Sequence, residues 1–145
     1  MMTMAQLEAR IESDLQRIGY SLKDKTISSQ FWLSETLGTR APGSYAYVAD
    51  DGIHYVGIGD RGAIEAHDVY ADLAEFLYRW YSAIVWLIAD KYACQQRTPG
   101  QDIRRLLFAR ELELLKQLEE SYYQRKKAEI DQILIDAPYH DRSFQ

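Results

Sequence analysis

The sequence is poor in the residues that build disulfide scaffolds, flexible linkers and nucleic-acid surfaces. Cys94 is the one cysteine among 145 residues, so neither an internal disulfide nor a multi-cysteine zinc site can form, and a reducing compartment is expected. Prolines number three. No internal repeat, low-complexity tract or Pro/Gly-rich linker divides the chain, and its length suits one domain spanning 1–145. Basic residues are outnumbered, 17 Lys and Arg against 22 Asp and Glu, for a net charge of -5 and a pI near 5.2. That is the wrong sign for a phosphate backbone, so no nucleic-acid partner is expected. Long apolar runs are missing too. The cleanest, Ser82 to Ala89, falls far short of the ~20 residues that cross a bilayer. The opening Met1-Met2-Thr3-Met4-Ala5-Gln6-Leu7-Glu8 has no basic stretch leading into an apolar one, which argues against a signal peptide. These absences point to a soluble, cytoplasmic protein without a membrane partner.

What is present is hydrophobic periodicity. Leu7, Ile11, Leu15 and Ile18 recur at helical steps, with Thr3 placed to cap the start and Gly19 the end. Residues 20–43 read as a loop holding at most a short helix, anchored by Phe31, Trp32, Leu33 and Leu37. Ser44–Ala49 and Ile53–Val56 flank Asp51-Gly52, a strong hairpin signal. A two-residue turn there would pair Val48 with Tyr55 and Tyr47 with Val56. A turn at Asp60-Arg61-Gly62 adds a short third strand, Ala63–Ala66, and Asp68 can then cap a long helix through Val69, Leu73, Phe76, Leu77, Trp80, Ile84, Leu87 and Ile88. Its apolar stripe widens at Trp80–Ile88 to nearly the whole circumference, which marks the spine of the fold. Thr98-Pro99-Gly100-Gln101 has capping-box spacing with proline at the first helical position, opening a helix through Ile103, Leu106, Leu107, Leu114 and Leu118. Ser121–Gln124 repeats the box before a last helix through Tyr122, Ile130, Ile133, Leu134 and Ala137. Pro138 stops that helix, leaving Tyr139–Gln145 as a tail. The expected fold is α+β and helix-dominated: a small antiparallel sheet, a hairpin plus a third strand, packed with three to four helices.

Motifs for catalysis are scarce. Gly57-Ile58-Gly59-Asp60-Arg61-Gly62 matches G-x-G-x-x-G in letters, but the dinucleotide fingerprint needs a helix immediately after it in a parallel βαβ unit. Here a hairpin precedes it, so turns and bulges are the expected use. His54, His67 and His140 are scattered without a ligand spacing, and structural or solvent-facing roles are expected for each. Cys94 reads as a small core residue. Arg104 and Arg105, beside Gln101 and Asp102, could form an anion site, but pairing within the helix, Arg105 with Asp102, is the simpler reading. No catalytic residue, metal ligand or cofactor is expected.

Charge is distributed unevenly. Between Asp50 and Glu75 there are seven acids and one base, Arg61, for a segment charge of -6. One reading assigns these acids to turns and to the positive end of a helix dipole. The other makes them an acidic surface that steers a basic partner. Tyrosine supplies 11 of the 18 aromatics, and tyrosine offers contact area with a polar tip at interfaces. Tyr78, Tyr81 and Tyr92 fit the edges of the helical core stripe, whereas Tyr45, Tyr47 and Tyr55 lie on strands with one face that could be open.

The run Gly100-Gln101-Asp102-Ile103-Arg104-Arg105-Leu106-Leu107-Phe108-Ala109, followed by Glu113-Leu114-Leu115, Ile133-Leu134, Pro138 and Asp141, resembles the immunity protein 63 family of bacterial polymorphic toxin systems. The resemblance extends from about Tyr45, through the hairpin and Glu75–Trp80, to about Asp141. It implies a small cytoplasmic protein that binds and neutralises a cognate protein toxin, without catalytic residues. It carries over no toxin-contact positions. The candidate contacts come from composition: Tyr45, Tyr47, Asp50, Asp51, Tyr55, Asp60, Glu65, Asp68, Asp72 and Glu75. A nucleotide- or small-molecule-handling enzyme using Gly57–Gly62 and a self-associating scaffold built on the spine helix are the alternatives, and homo-oligomerisation stays open.

Overall fold

The structure is a computed structural model that describes residues 2–34 and 41–142. Its elements, in chain order, are α1 (Met4–Arg17), α2 (Lys25–Ser28), β1 (Phe31–Leu33), β2 (Gly43–Ala49), β3 (Gly52–Ile58), β4 (Ile64–Tyr70), α3 (Leu73–Gln95), α4 (Arg104–Leu118) and α5 (Glu120–Asp136). This is the helix-dominated α+β class expected. The chain forms two compact units, Met1–Trp80 and Tyr81–Gln145, and α3 runs through the boundary.

In the first unit, α1 begins as the sequence signals. The Gln6 backbone N–H donates to Thr3 Oγ1 at 3.1 Å, and the Thr3 N–H donates to Gln6 Oε1 at 2.9 Å. This reciprocal box satisfies two N–H groups that a helix start otherwise leaves without acceptors. Leu7, Ile11 and Leu15 then fall on one face and are fully buried. The sheet order is β1-β2-β3-β4. The hairpin β2–β3 and the pair β3–β4 are antiparallel, but β1 adds a parallel strand, Phe31 opposite Ser44 and Trp32 opposite Tyr45. The segment read as a loop thus contributes a strand and makes the sheet mixed. Three residues are too few for alternation to show in the sequence, and only pairing with β2 makes Phe31–Leu33 a strand. Leu37, proposed as an anchor, lies outside the described residues.

The hairpin register differs from the expected one. Ala49 pairs with Gly52, Val48 with Ile53 and Tyr47 with His54, so the turn is Asp50-Asp51. Gly52 belongs to the strand because its φ is +137° and a Cβ there would lie 2.5 Å from the Tyr70 carbonyl oxygen. Glycine is needed for close approach to β4, not for the turn itself. The difference moves both strands by one residue together and so leaves the faces unchanged. One face carries Trp32, Tyr45, Tyr47, His54 and Val56, and the other carries Phe31, Ala46, Ile53 and Tyr55.

The third strand is longer than expected and runs to Tyr70, so Val69 is strand and Asp68 does not cap α3. Asp72 takes that position, and its Oδ1 accepts from the Ala74 N–H at 2.8 Å. At the start of α3, fully buried Trp80 meets Phe31 edge-on at 5.3 Å, Tyr55 edge-on at 6.0 Å, and Phe76 at 5.7 Å. These rings hold the part of α3 within the first unit, Phe76 to Trp80, against the Tyr55 face of the sheet.

In the second unit, α3 buries Tyr81, Ile84, Val85, Ile88, Ala89 and Ala93, while Trp86 is 48% exposed. Cys94 is exposed, not core. Tyr92 is exposed beneath the Arg110 guanidinium, unlike buried Tyr78 and Tyr81. Helix α4 starts at Arg104, later than the Thr98-Pro99 signal implied. Thr98–Gln101 forms a turn closed by the Gln101 N–H on the Thr98 carbonyl at 3.1 Å, and Gly100 at φ +81° cannot open a helix. Helix α5 starts at Glu120, which places Ser121 inside the helix instead of at its cap. The two helices contact each other, and Phe108, Leu114, Leu115 and Leu118 on α4 and Tyr122 and Ile130 on α5 are buried. Pro138 follows the end of α5 as expected.

Candidate functional site

All seven acids of residues 50–75 are exposed, but their positions and tasks differ. Asp50 and Asp51 form the β2–β3 turn, Asp60 sits in the β3–β4 turn, Glu65 and Asp68 lie on β4, and Asp72 and Glu75 open α3. Strands of seven residues put roughly 20 Å between the two turns. The acids therefore trace a line along the β4 side of the sheet instead of one compact patch. Four are already engaged within the fold, Glu75 among them. Asp51 Oδ1 accepts from His54 Nε2 at 2.6 Å, Asp68 pairs with Arg79 at 3.1 Å, and Asp72 caps α3. Among the described residues, Asp50, Asp60 and Glu65 make no ion pair.

Two depressions lie at the ends of this line. At the hairpin end, a hollow of about 440 Å³ is lined by Val48, Ile53, Tyr70 and Leu73, with Asp50 and Asp51 at its rim. At the other end, an open cleft of about 620 Å³ is lined by Gly43, Ser44, Tyr55, Gly57, Asp60, Glu65 and Arg79. Its floor is bare because Gly57 has no side chain. The fold itself does not require that glycine: its φ is ordinary, and a Cβ there would meet Ala66 Cβ at 3.5 Å, normal contact. On one wall, Ser44 Oγ and Tyr55 OH are hydrogen-bonded at 2.8 Å. The Arg79 guanidinium lies 4.2 Å from the Tyr55 ring centre and donates to Tyr70 OH at 3.0 Å.

The three strand tyrosines do not share one open face. Tyr45 and Tyr55 are buried, on opposite faces, and Tyr47 alone is partly exposed. Tyr45 packs with Val56 and Ile58 against Trp32, and its hydroxyl donates to the Ala41 carbonyl at 3.1 Å. Burial of large rings at both faces is what a thin sheet needs to form a core. In this structure neither Tyr45 nor Tyr55 presents its ring to a partner.

The glycine motif behaves as a hairpin loop. The Gly59 N–H donates to the Ala63 carbonyl and the Gly62 N–H to the Gly59 carbonyl, both at 3.0 Å. The pairing of β3 with β4 shifts at Gly57/Ile58. An antiparallel strand follows, and the next helix begins at Leu73, so the phosphate-cradling geometry of a strand–loop–helix is not formed.

Nothing in the local sequence pattern signals that His54 and His67 meet. Val56 pairs with His67 and His54 with Val69, which makes the two histidines diagonal neighbours on one face. Their ring nitrogens, Nδ1 of His54 and Nε2 of His67, are 2.8 Å apart, and the His54 ring stacks on Tyr47 at 4.5 Å. The hydrogen bond from His54 holds the Asp51 carboxyl below the usual range. A spacing of thirteen residues signals such a meeting only once both strand lengths and their register are known.

The Asp102 cluster is built differently. Asp102 accepts from the Arg104 side chain at 2.9 Å, the Arg104 N–H at 3.0 Å and the His140 N–H at 2.8 Å. Arg104 also donates to the carbonyls of Ala137 and Pro138, at 2.9 and 2.8 Å. Arg105 pairs not with Asp102 but with Asp141, at 2.8 Å, and lies 4.1 Å from the Tyr139 ring centre. The segment read as a tail is therefore strapped, through residue 142, across the start of α4. Arg104, with two backbone donors behind it, lowers the Asp102 carboxyl strongly, and Arg105 lowers Asp141. Both guanidinium groups are already engaged, so they form a structural clamp instead of an open anion site. In the same unit, burial pushes the Glu111 carboxyl up.

The acidic line and the arginine half of the clamp lie in the part of the chain that a family model covers. The model for immunity protein 63 matches residues 50–132, more than half of the chain. The chain belongs to the immunity protein 63 family. No curated protein and no solved structure matches it. The match takes in all seven acids and the Asp102–Arg104 pair, but stops before Pro138 and Asp141, which the resemblance also used. Tyr45 and Tyr47 lie ahead of it. Family membership makes the chain an immunity protein in the broad sense, a class that suggests binding more than catalysis. Among the described residues, no three His, Cys, Asp or Glu side chains gather as a metal site, and no helix is long and apolar enough to cross a membrane.

Proposed function

We propose that this immunity protein binds and neutralises a cognate toxin of a polymorphic toxin system in the cytoplasm, using the acidic side of its sheet. The observation that carries this reading is the exposure of all seven acids along β4, the two turns and the start of α3, within the part matched by the family model. Among the described residues β4 ends the sheet, so one side of its backbone is unpaired there and can receive another chain. Asp50, Asp60 and Glu65 supply negative potential without giving up an internal ion pair, which favours fast capture of a basic partner. The apolar hollow beside Asp50 offers burial for an aliphatic or aromatic anchor. Tyr47 is the strand tyrosine best placed to contribute.

Co-expression with the toxin encoded beside its gene tests the proposal. Growth rescue and co-purification are expected, and reversal of Asp50, Asp60 and Glu65 to lysine should weaken rescue at low expression by slowing capture. Failure of the unaltered protein to rescue or bind any toxin of its own locus would remove the reading altogether.

A further inference from the structure

Asp51, His54 and His67 form a chain of ring and carboxylate atoms whose chemistry goes beyond partner docking and does not depend on it. Asp51 Oδ1 lies 2.6 Å from His54 Nε2. An ionised carboxylate only accepts, so Nε2 carries the proton, and in the neutral ring Nδ1 then carries a lone pair. That lone pair is aimed at Nε2 of His67, 2.8 Å away. If His67 keeps its own proton on Nδ1, two lone pairs converge on one point. With the proton on His67 Nε2 instead, the contact is an ordinary N–H···N hydrogen bond, so the pair is either hydrogen-bonded or bridged by a cation.

We propose that His54 and His67 are the two protein ligands of a divalent transition-metal site, with Asp51 orienting the first. A carboxylate holding the far nitrogen of a ligating imidazole is the outer-shell arrangement that fixes tautomer and raises ligand basicity. His54 is 9% exposed and stacked on Tyr47, so the first ligand is held rigidly. His67 is exposed on the edge strand and can adjust. Metal–nitrogen bonds of 2.0–2.1 Å in a tetrahedral site separate the nitrogens by about 3.3 Å, roughly half an ångström more than the present gap. A small rotation of His67 supplies it. Two imidazoles select zinc, nickel or copper(II) over magnesium or calcium. With no third His, Cys, Asp or Glu in the group among the described residues, the remaining positions go to water. The neighbouring Asp50 adds negative potential that favours a dication.

Titration of the tag-free full chain with zinc(II) tests the site, read by calorimetry and by the histidine nitrogen shifts in NMR. Saturable binding of one zinc per chain is expected, with the largest shifts at His54 Nδ1 and His67 Nε2. His67→Ala replaces an exposed side chain and should keep its far-UV circular dichroism while weakening zinc binding at least tenfold. Asp51→Asn should weaken it about tenfold. Cys94→Ser and His140→Ala, the other exposed candidates, should leave it unchanged, as should excess magnesium. Absence of saturable binding, binding untouched by His67→Ala, or displacement by magnesium would each overturn the assignment.

Discussion

Asp50, Asp60 and Glu65 in the first unit make no ion pair among the described residues, whereas Asp102 and Asp141 in the second each gather arginine and backbone donors. The residue types match, but the surroundings do not. The acids of residues 50–75 sit on turns, an exposed edge strand and the start of α3, where His54 reaches Asp51 and Arg79 reaches Asp68. The acids near α4 meet a C-terminal strap that brings its own backbone donors. Counting carboxylates therefore says little about their use. What separates a docking carboxylate from a structural one is whether the fold has already supplied its donors, and only the first kind keeps its charge available for a partner.

The largest expected effect breaks the structural side. Asp102→Ala leaves the Arg104 guanidinium and the His140 N–H without their acceptor, and urea denaturation should show a loss of about 2–3 kcal/mol. A loss within 0.5 kcal/mol of zero would mean that water replaces the carboxylate freely. On the docking side, Asp50→Lys, Asp60→Lys and Glu65→Lys together should slow association with the toxin about tenfold at low salt, with little change in dissociation. Stopped-flow measurements at several salt concentrations check this, and an on-rate indifferent to the triple change would erase the distinction between the two groups of acids.

Acid titration sharpens the same contrast. The carboxyls of Asp102 and Asp141 are lowered in the folded protein. Their contribution to stability is complete above the unfolded value near 3.9 and is lost as pH falls through the folded values. The urea midpoint should therefore drop below about pH 4, and Asp102→Asn should flatten that drop. An equally steep acid limb in the variant would place the sensitive groups elsewhere. The smallest effect concerns the cleft floor. Gly57→Ala fits without close contact and should raise stability by about 0.5–1 kcal/mol. If the cleft receives a toxin side chain, the same methyl should weaken binding.

Helices were the most legible part of the sequence because their period is repeated over many residues: Leu7, Ile11 and Leu15, or Phe76, Trp80 and Ile84, specify a face without knowledge of the rest. Their ends were less legible. Thr3 capped α1 as its letters suggest, but Thr98 and Ser121 have the same spacing and cap nothing, because Gly100 and the extended Glu119 set the actual starts. The hairpin was visible, yet its register turned on the approach of Gly52 to Tyr70, a contact between strands. For the same reason the short parallel β1, the buried state of Tyr45 and Tyr55, and the meeting of His54 with His67 lay beyond local patterns. The acidic segment was plain from composition. Which of its members are occupied required the neighbours of Asp51, Asp68 and Asp72.

Glu119 stands alone between α4 and α5, extended at φ -164° and ψ 137°. Each helical residue advances the chain by about 100° of rotation, so adding or removing one residue where α5 begins would swing Tyr122 and Ile130 away from the side on which they are buried. Insertions that surface loops elsewhere absorb cheaply are barred here. Relatives that keep this helical pair should therefore align from Arg104 to Ile130 without a gap, however much their turns vary in length.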